Sequence, residues 1–213
     1  MNNFEQRRDR FDLFNAMESP AVNLSFTMEL PDFRPWCKAQ GLPPFHVLLY
    51  AISNAILKIE NFRYRVFEGE VICIDRLIPS YTVVNKNKDL NFAQFAWSDD
   101  LLEFVARSIA ARDHAEAMTE LNDTYHAMSP REWKDQVFVT CMPWLDLTAI
   151  EHPMASVSSP DIPALAWGRF RDGPDGRLLV PFSVQAHHGF VDGYHIHLLA
   201  QQIAAELSAI MQG

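Results

Sequence analysis

Alternation of apolar and polar side chains is sharpest between Val22 and Leu30, where Val22, Leu24, Phe26, Met28 and Leu30 are separated by Asn23, Ser25, Thr27 and Glu29. A period of two places the first set on one side of an extended chain, so this segment predicts a strand with one buried face. Before it, Phe11 and Phe14 stand three apart among charged residues, which predicts a short amphipathic helix over residues 7–17. Pro43 and Pro44 then open a mostly apolar run to Ile59 that predicts a buried helix. Residues 63–67 and 71–74 flank Glu68-Gly69-Glu70 as a hairpin, and 79–84 reads as another strand. Ser98 precedes a helical pattern carried by Leu101, Leu102, Val105 and Ile109, which should run to about residue 118. The last third predicts strands at 136–141, 163–171 and 177–187, the last two joined by the turn Asp172-Gly173-Pro174-Asp175-Gly176, and a final helix from residue 193. Helices and strands are interspersed without a strict βαβ repeat. The expected fold class is therefore α+β: a single domain with a mixed β-sheet flanked by helices.

Composition narrows the function. The chain has 213 residues, 48% of them apolar, enough to fill one core without staples. Its three cysteines, Cys37, Cys73 and Cys141, have no C-x-x-C spacing, so neither a disulfide framework nor a zinc site is expected, and a reducing compartment is the natural reading. The polar N-terminus cannot serve as a signal-peptide core. The longest apolar stretch, broken by His46, Ser53, Asn54 and Lys58, is too short to span a bilayer, so no membrane partner is expected. A net charge of −9 without a Lys/Arg run argues against nucleic acid. It does not argue against a ligand that needs only a few local cations.

The candidate chemistry lies in Gln185-Ala186-His187-His188-Gly189-Phe190-Val191-Asp192-Gly193. Neighbouring strand residues face opposite ways, and Leu178, Val180, Phe182, Val184 and Ala186 share the parity of His188. His188 is therefore expected to end an apolar stripe, partly buried and held neutral by that burial, as a general base requires. A core histidine bonded to a carbonyl explains the same pattern. Asp192 also reads as an N-cap, and Gly189 and Gly193 as turn glycines.

The string H-H-G-F-V-D-G-Y-H resembles the active-site H-H-x-x-x-D-G of chloramphenicol acetyltransferases. The resemblance extends through Arg7 to Phe33, Asn61-Phe62-Arg63, Asp75, Pro79, Tyr81-Thr82-Val83, and the segment Phe138 to Trp144, similar to the family's F-x-x-S-x-x-P-W. Together these cover nearly the whole chain. H-x-x-x-D-G alone is less specific, since the acyltransferase cores of 2-oxo acid dehydrogenase complexes share it.

The resemblance implies the family's two-layer sandwich and direct acetyl transfer from acetyl-CoA, the co-substrate, to a hydroxyl of a small molecule such as chloramphenicol. By motif match His188 is the base, Asp192 and Arg7 form a structural pair with Arg8 and Arg10 as competing partners, and Thr140 stands where the family's serine supplies an oxyanion donor. Trp144, Arg169 and Phe170 match positions along coenzyme A. Phe14, Val22, Phe92, Phe138 and Ala166 match or wall the acceptor site, where Ala166 replaces a threonine, Val22 an aromatic or similar residue, and Pro20 a usual pocket residue. The chain starts about ten residues later than family members usually do. A cytoplasmic homotrimer with active sites between subunits, and a role in antibiotic resistance, are also implied.

Other readings follow from the same residues. One is an acyltransferase with a different acceptor, such as a lipoyl thiol, although no lipoyl domain or Ala/Pro linker is present. Another is a lapsed homologue that only binds a small molecule, favoured by Thr140 and Ala166. Metal binding through His187, His188, His195 and His197 has little support: the last two are two apart on a helix and do not share a face.

Overall fold

The computed structural model describes residues 2–121, 127–153 and 160–213. In chain order the elements are α1 (Asn2–Glu5), α2 (Arg8–Asn15), β1 (Ala21–Pro31), α3 (Arg34–Gln40), α4 (Pro44–Lys58), β2 (Tyr64–Phe67), β3 (Glu70–Cys73), β4 (Ile78–Val84), β5 (Leu90–Gln94) and α5 (Leu101–Ala117). They continue with α6 (Pro130–Trp133), β6 (Gln136–Cys141), β7 (Ala164–Trp167), β8 (Arg171–Asp172), β9 (Arg177–His187) and α7 (Gly193–Gln212).

A seven-stranded mixed sheet runs β1-β9-β7-β6-β4-β5, with β8 on β9, and β2 and β3 form a separate hairpin. The pairs β4·β6 and β6·β7 are parallel, the others antiparallel. One face is apolar: Met28, Leu30, Tyr81, Val83, Val137, Val139, Leu165, Trp167, Phe182, Val184 and Ala186 join α4 and α7 residues such as Leu48, Ile52, Leu199 and Ile203 in one core. This is the single α+β domain that the interspersed helices and strands implied; in β1 the expected buried face is fully buried only at Met28 and Leu30, and Leu24 is exposed.

Several expectations are corrected. α3 was not predicted; Pro35 lies in its first turn and Gly41 closes it at a φ of 69°, a value that favours glycine. β5 was also missed, because its buried positions Asn91 and Ala93 are polar or small. The strand expected over 163–171 is broken after Trp167. A Cβ on Gly168 would sit 2.7 Å from the Leu145 carbonyl oxygen, so the loop after β6 crosses there and ends the ladder.

The parity argument for β9 separates two faces that are both covered. Its second face is buried too: Ser183, Gln185 and His187 are 2%, 2% and 1% exposed. The loop after β6 lies over that face, with Asn23 Nδ2 donating to the Ile150 carbonyl and the His152 N–H to Gln185 Oε1. His188 lies beyond the strand, in a half-buried turn, and so does not end the apolar stripe.

Candidate active site

The His188 turn is fixed from both sides. Its N–H donates to the Pro20 carbonyl at 2.7 Å, next to the start of β1. Its Nδ1 lies 3.1 Å from the Val191 carbonyl oxygen, an acceptor only, so Nδ1 carries the proton and Nε2 keeps its lone pair. Phe14 of α2 stacks on the ring at 4.0 Å.

His187 is the buried imidazole of the pair, and burial pushes its pKa down to about 4. Its Nδ1 accepts the Gly189 N–H at 3.0 Å, its Nε2 faces Asn15 Oδ1 at 3.4 Å, and its ring stacks on Phe11. Gly189 permits this contact with α2, since a Cβ there would lie 2.7 Å from Phe11 Cα.

Arg7 Nε donates to the Gly189 carbonyl at 3.2 Å and Nη1 to Asp192 Oδ2 at 3.1 Å. The competing arginines have other partners, Arg8 with Glu5 and Arg10 with Asp9. Asp192 also accepts the Tyr194 N–H as the N-cap of α7, so both readings of this residue apply.

A second group surrounds a cavity of about 1200 Å³ that Phe92, Phe138, Thr140, Trp144 and Phe170 help to line. Pairing of β4 with β6 ends at Tyr81 and Val139. The cavity wall includes Tyr81, Val83 and Val139 from the core face as well as Ser80, Thr82, Phe138 and Thr140 from the other. The space therefore passes through the sheet where the two strands part, with Thr140 at the crossing. Trp144 is 57% exposed. Cys141 also lines the space, but burial raises its thiol to about 12, the reverse of an activated nucleophile.

Three expected residues lie outside this wall. Ala166 is fully buried within the sheet, opposite Thr140 and Ser183, and is not part of the cavity wall. Val22 pairs with Ala186 on the core side of β1, also outside that wall. Arg169 does not line it either; its Nη2 donates to the Trp144 carbonyl.

The two groups do not meet within one chain. Thr140 is opposite Ala166, and Ala166 opposite Ser183, which is five residues before His188. That distance is roughly 16 Å along β9, plus two strand spacings of about 4.8 Å each.

The sequence reading missed a polar chain in the same cavity. His46 of α4, 1% exposed, places Nδ1 2.7 Å from Ser108 Oγ and Nε2 3.4 Å from Arg112 Nη1. Ser108 Oγ donates to Tyr81 Oη at 3.2 Å, and Tyr81 Oη to the Ser108 carbonyl at 2.7 Å. The one signal was His46 itself, a polar residue inside an apolar helical run. Among the described residues no group of His, Cys, Asp or Glu is placed to hold a metal ion, and no helix is long and apolar enough to cross a membrane.

A mixed sheet that parts beside a hydroxyl, with a tautomer-fixed histidine at the end of its longest antiparallel pair, fits the acyltransferase that the sequence resemblance implied. The model of the family described as "Chloramphenicol acetyltransferase" matches residues 1–204, and the chain belongs to that family. Relatives include the chloramphenicol acetyltransferases of Proteus mirabilis, 23% identical over 92% of this chain and 88% of theirs, and of Staphylococcus aureus, 26% identical over 91% and 92%. A solved chloramphenicol acetyltransferase superposes with a TM-score of 0.79 at 26% identity, covering 94% of each chain. The cubic core of the pyruvate dehydrogenase multienzyme complex shares the fold, with a TM-score of 0.70 at 15% identity over 97% of this chain and 88% of that one.

Proposed function

We propose that this protein transfers an acetyl group from acetyl-CoA to a hydroxyl of a small acceptor such as chloramphenicol, with His188 as general base. The observation that carries this is the Nδ1 contact with the Val191 carbonyl: it leaves Nε2 free to take the acceptor's proton. The oxygen thus activated attacks the thioester carbonyl, and the thiolate of coenzyme A leaves. The Thr140 hydroxyl donates to the oxyanion that develops in this step. Transfer is direct, in keeping with the raised thiol of Cys141. Arg7 and Asp192 hold the turn that aims His188.

The separation of His188 from Thr140 supports a site between subunits. We read the active form as a homotrimer in which the His188 turn of one subunit faces the cavity of the next. The exposed polar positions of β1, Asn23, Ser25, Thr27 and Glu29, suit a surface of that kind. The acceptor lies against Phe92 and Phe138, with Phe14 contributed beside His188. Trp144 and Phe170 flank the coenzyme, and Arg169 holds the Trp144 backbone through its carbonyl. The cytoplasm, where acetyl-CoA is available, is the compartment that fits, and antibiotic resistance follows if chloramphenicol is the acceptor.

Incubation with acetyl-CoA and a panel of hydroxylated acceptors including chloramphenicol, followed by release of free coenzyme A, tests the reading. Acceptor-dependent release supports it. No release with any acceptor, from folded trimer, rejects it in favour of a small-molecule-binding homologue.

A further inference from the structure

Arg112 is the one Lys or Arg among the described residues that line the through-sheet cavity. It projects from α5, and α5 packs on β5 from the side of Asn91, whose Nδ2 donates to the Ala115 carbonyl. Phe92 and Phe138 belong to the opposite face of the sheet. The cation therefore stands at the end of the cavity away from the acceptor walls.

Its setting is built. Tyr81, Ser108, His46 and Arg112 form a chain in which each donor has an assigned acceptor: Arg112 Nη1 to His46 Nε2, His46 Nδ1 to Ser108 Oγ, Ser108 Oγ to Tyr81 Oη, and Tyr81 Oη to the Ser108 carbonyl. This order needs a neutral imidazole protonated at Nδ1. Burial, with help from the Arg112 charge, lowers the His46 pKa to about 4 and keeps it so. Arg112 also bonds Asp113 through Nε and Nη2, and Glu116, which lines the same cavity, lies 3.8 Å from Nε. Both carboxylates are more than 40% exposed. Solvent screens their pull, and a guanidinium has five N–H groups, more than these bonds use.

Coenzyme A carries a long uncharged arm and a phosphate-bearing nucleotide end. An arm whose thioester reaches Thr140 runs along largely apolar walls, and its phosphates need a cation at the far end. We propose that Arg112 is a specificity-determining residue that binds a phosphate of coenzyme A, and that His46 is the positioning residue holding its guanidinium in the cavity wall. Arg169, the cation suggested by sequence register, is exposed, bonds the Trp144 carbonyl and lies outside the cavity wall that Arg112 lines. The inference rests on the acetyl-CoA reading, but its test needs no acceptor.

The test is calorimetric binding of coenzyme A, 3′-dephospho-coenzyme A and 4′-phosphopantetheine to the trimer. A charge-assisted contact predicts at least about tenfold weaker binding once the recognised phosphate is removed. Loss with the dephospho form assigns the 3′-phosphate, and loss only with phosphopantetheine assigns the diphosphate. In Arg112→Gln the preference should collapse, Arg112→Lys should keep part of it, and Arg107→Gln on the same helix should keep all of it. His46→Leu should weaken the preference and His46→Gln, whose amide oxygen still accepts, should restore it. Equal affinity for all three ligands in the unchanged protein, or an unchanged preference in Arg112→Gln, overturns the proposal while leaving the acyl-transfer reading intact. No coenzyme A binding at all overturns both.

Discussion

Asp192 serves two elements at once: Oδ2 accepts from Arg7 Nη1 at 3.1 Å, and Oδ1 accepts the Tyr194 N–H at 3.0 Å as the cap of α7. The N-terminal segment is thereby tied to the last helix across the turn that holds His188. Arg7→Gln and Asp192→Asn should each destabilise the protein, Asp192→Asn less in the capping role, because asparagine caps as well as aspartate. Their double-mutant cycle should give a coupling of about 0.5 kcal/mol or more in urea denaturation. Strictly additive costs would reject the pair as a structural unit.

The adjacent histidines should separate cleanly. His188→Ala or His188→Gln is expected to abolish turnover with folding and coenzyme A affinity retained, since the role proposed for Nε2 is confined to proton transfer. His187→Ala removes a buried ring stacked on Phe11 and bonded to Gly189, so its main effect should be a loss of stability. A folded His188→Ala protein that still turns over would contradict the assignment.

Acid should unfold the protein through His46 and His187. Both are lowered from 6.5 to about 4, so between those values the unfolded chain binds protons that the folded one does not. Their stabilising contribution is complete above about pH 6.5 and disappears as pH falls towards 4, at up to about 1.4 kcal/mol per pH unit for each group. Urea midpoints measured from pH 7.5 to 4.5 at fixed protein concentration should decline. In His187→Gln the decline should be shallower. An unchanged slope in that variant would show that another group dominates.

Much of this architecture was legible because it is periodic. The apolar run of α4 encodes a buried face within a few residues, the alternation of β1 encodes one that is fully buried at Met28 and Leu30, and β9 starts as expected after its Gly-rich turn. What stayed hidden depends on contacts distant in sequence. Ser183, Gln185 and His187 look like a solvated face until the loop after β6 is laid over them. Arg112 and His46 are 66 positions apart and acquire meaning only when α5 packs on α4. Motif matching placed Arg169 and Ala166 by register alone, and a register cannot say that the exposed Arg169 side chain bonds the Trp144 carbonyl while Ala166 is enclosed in the sheet.

Thr140 is the point where resemblance and local chemistry can be told apart most directly. It stands at the crossing of the cavity, half-buried at the end of β6, with its backbone held opposite Ala166. If the hydroxyl donates to the developing oxyanion, Thr140→Val keeps the shape, removes the donor and should lower kcat by about 10² or more. Thr140→Ser keeps the donor and should stay active. The loss should appear in kcat and not in the dissociation constant of acetyl-CoA, because the hydrogen bond strengthens only as charge builds on the oxygen. The β-branched shape suits a strand equally well, so a purely packing role predicts the opposite ranking: Thr140→Val active and at least as stable, Thr140→Ser the poorer protein. Steady-state kinetics on the two variants, with thermal denaturation alongside, decides between a catalytic hydroxyl and a strand residue.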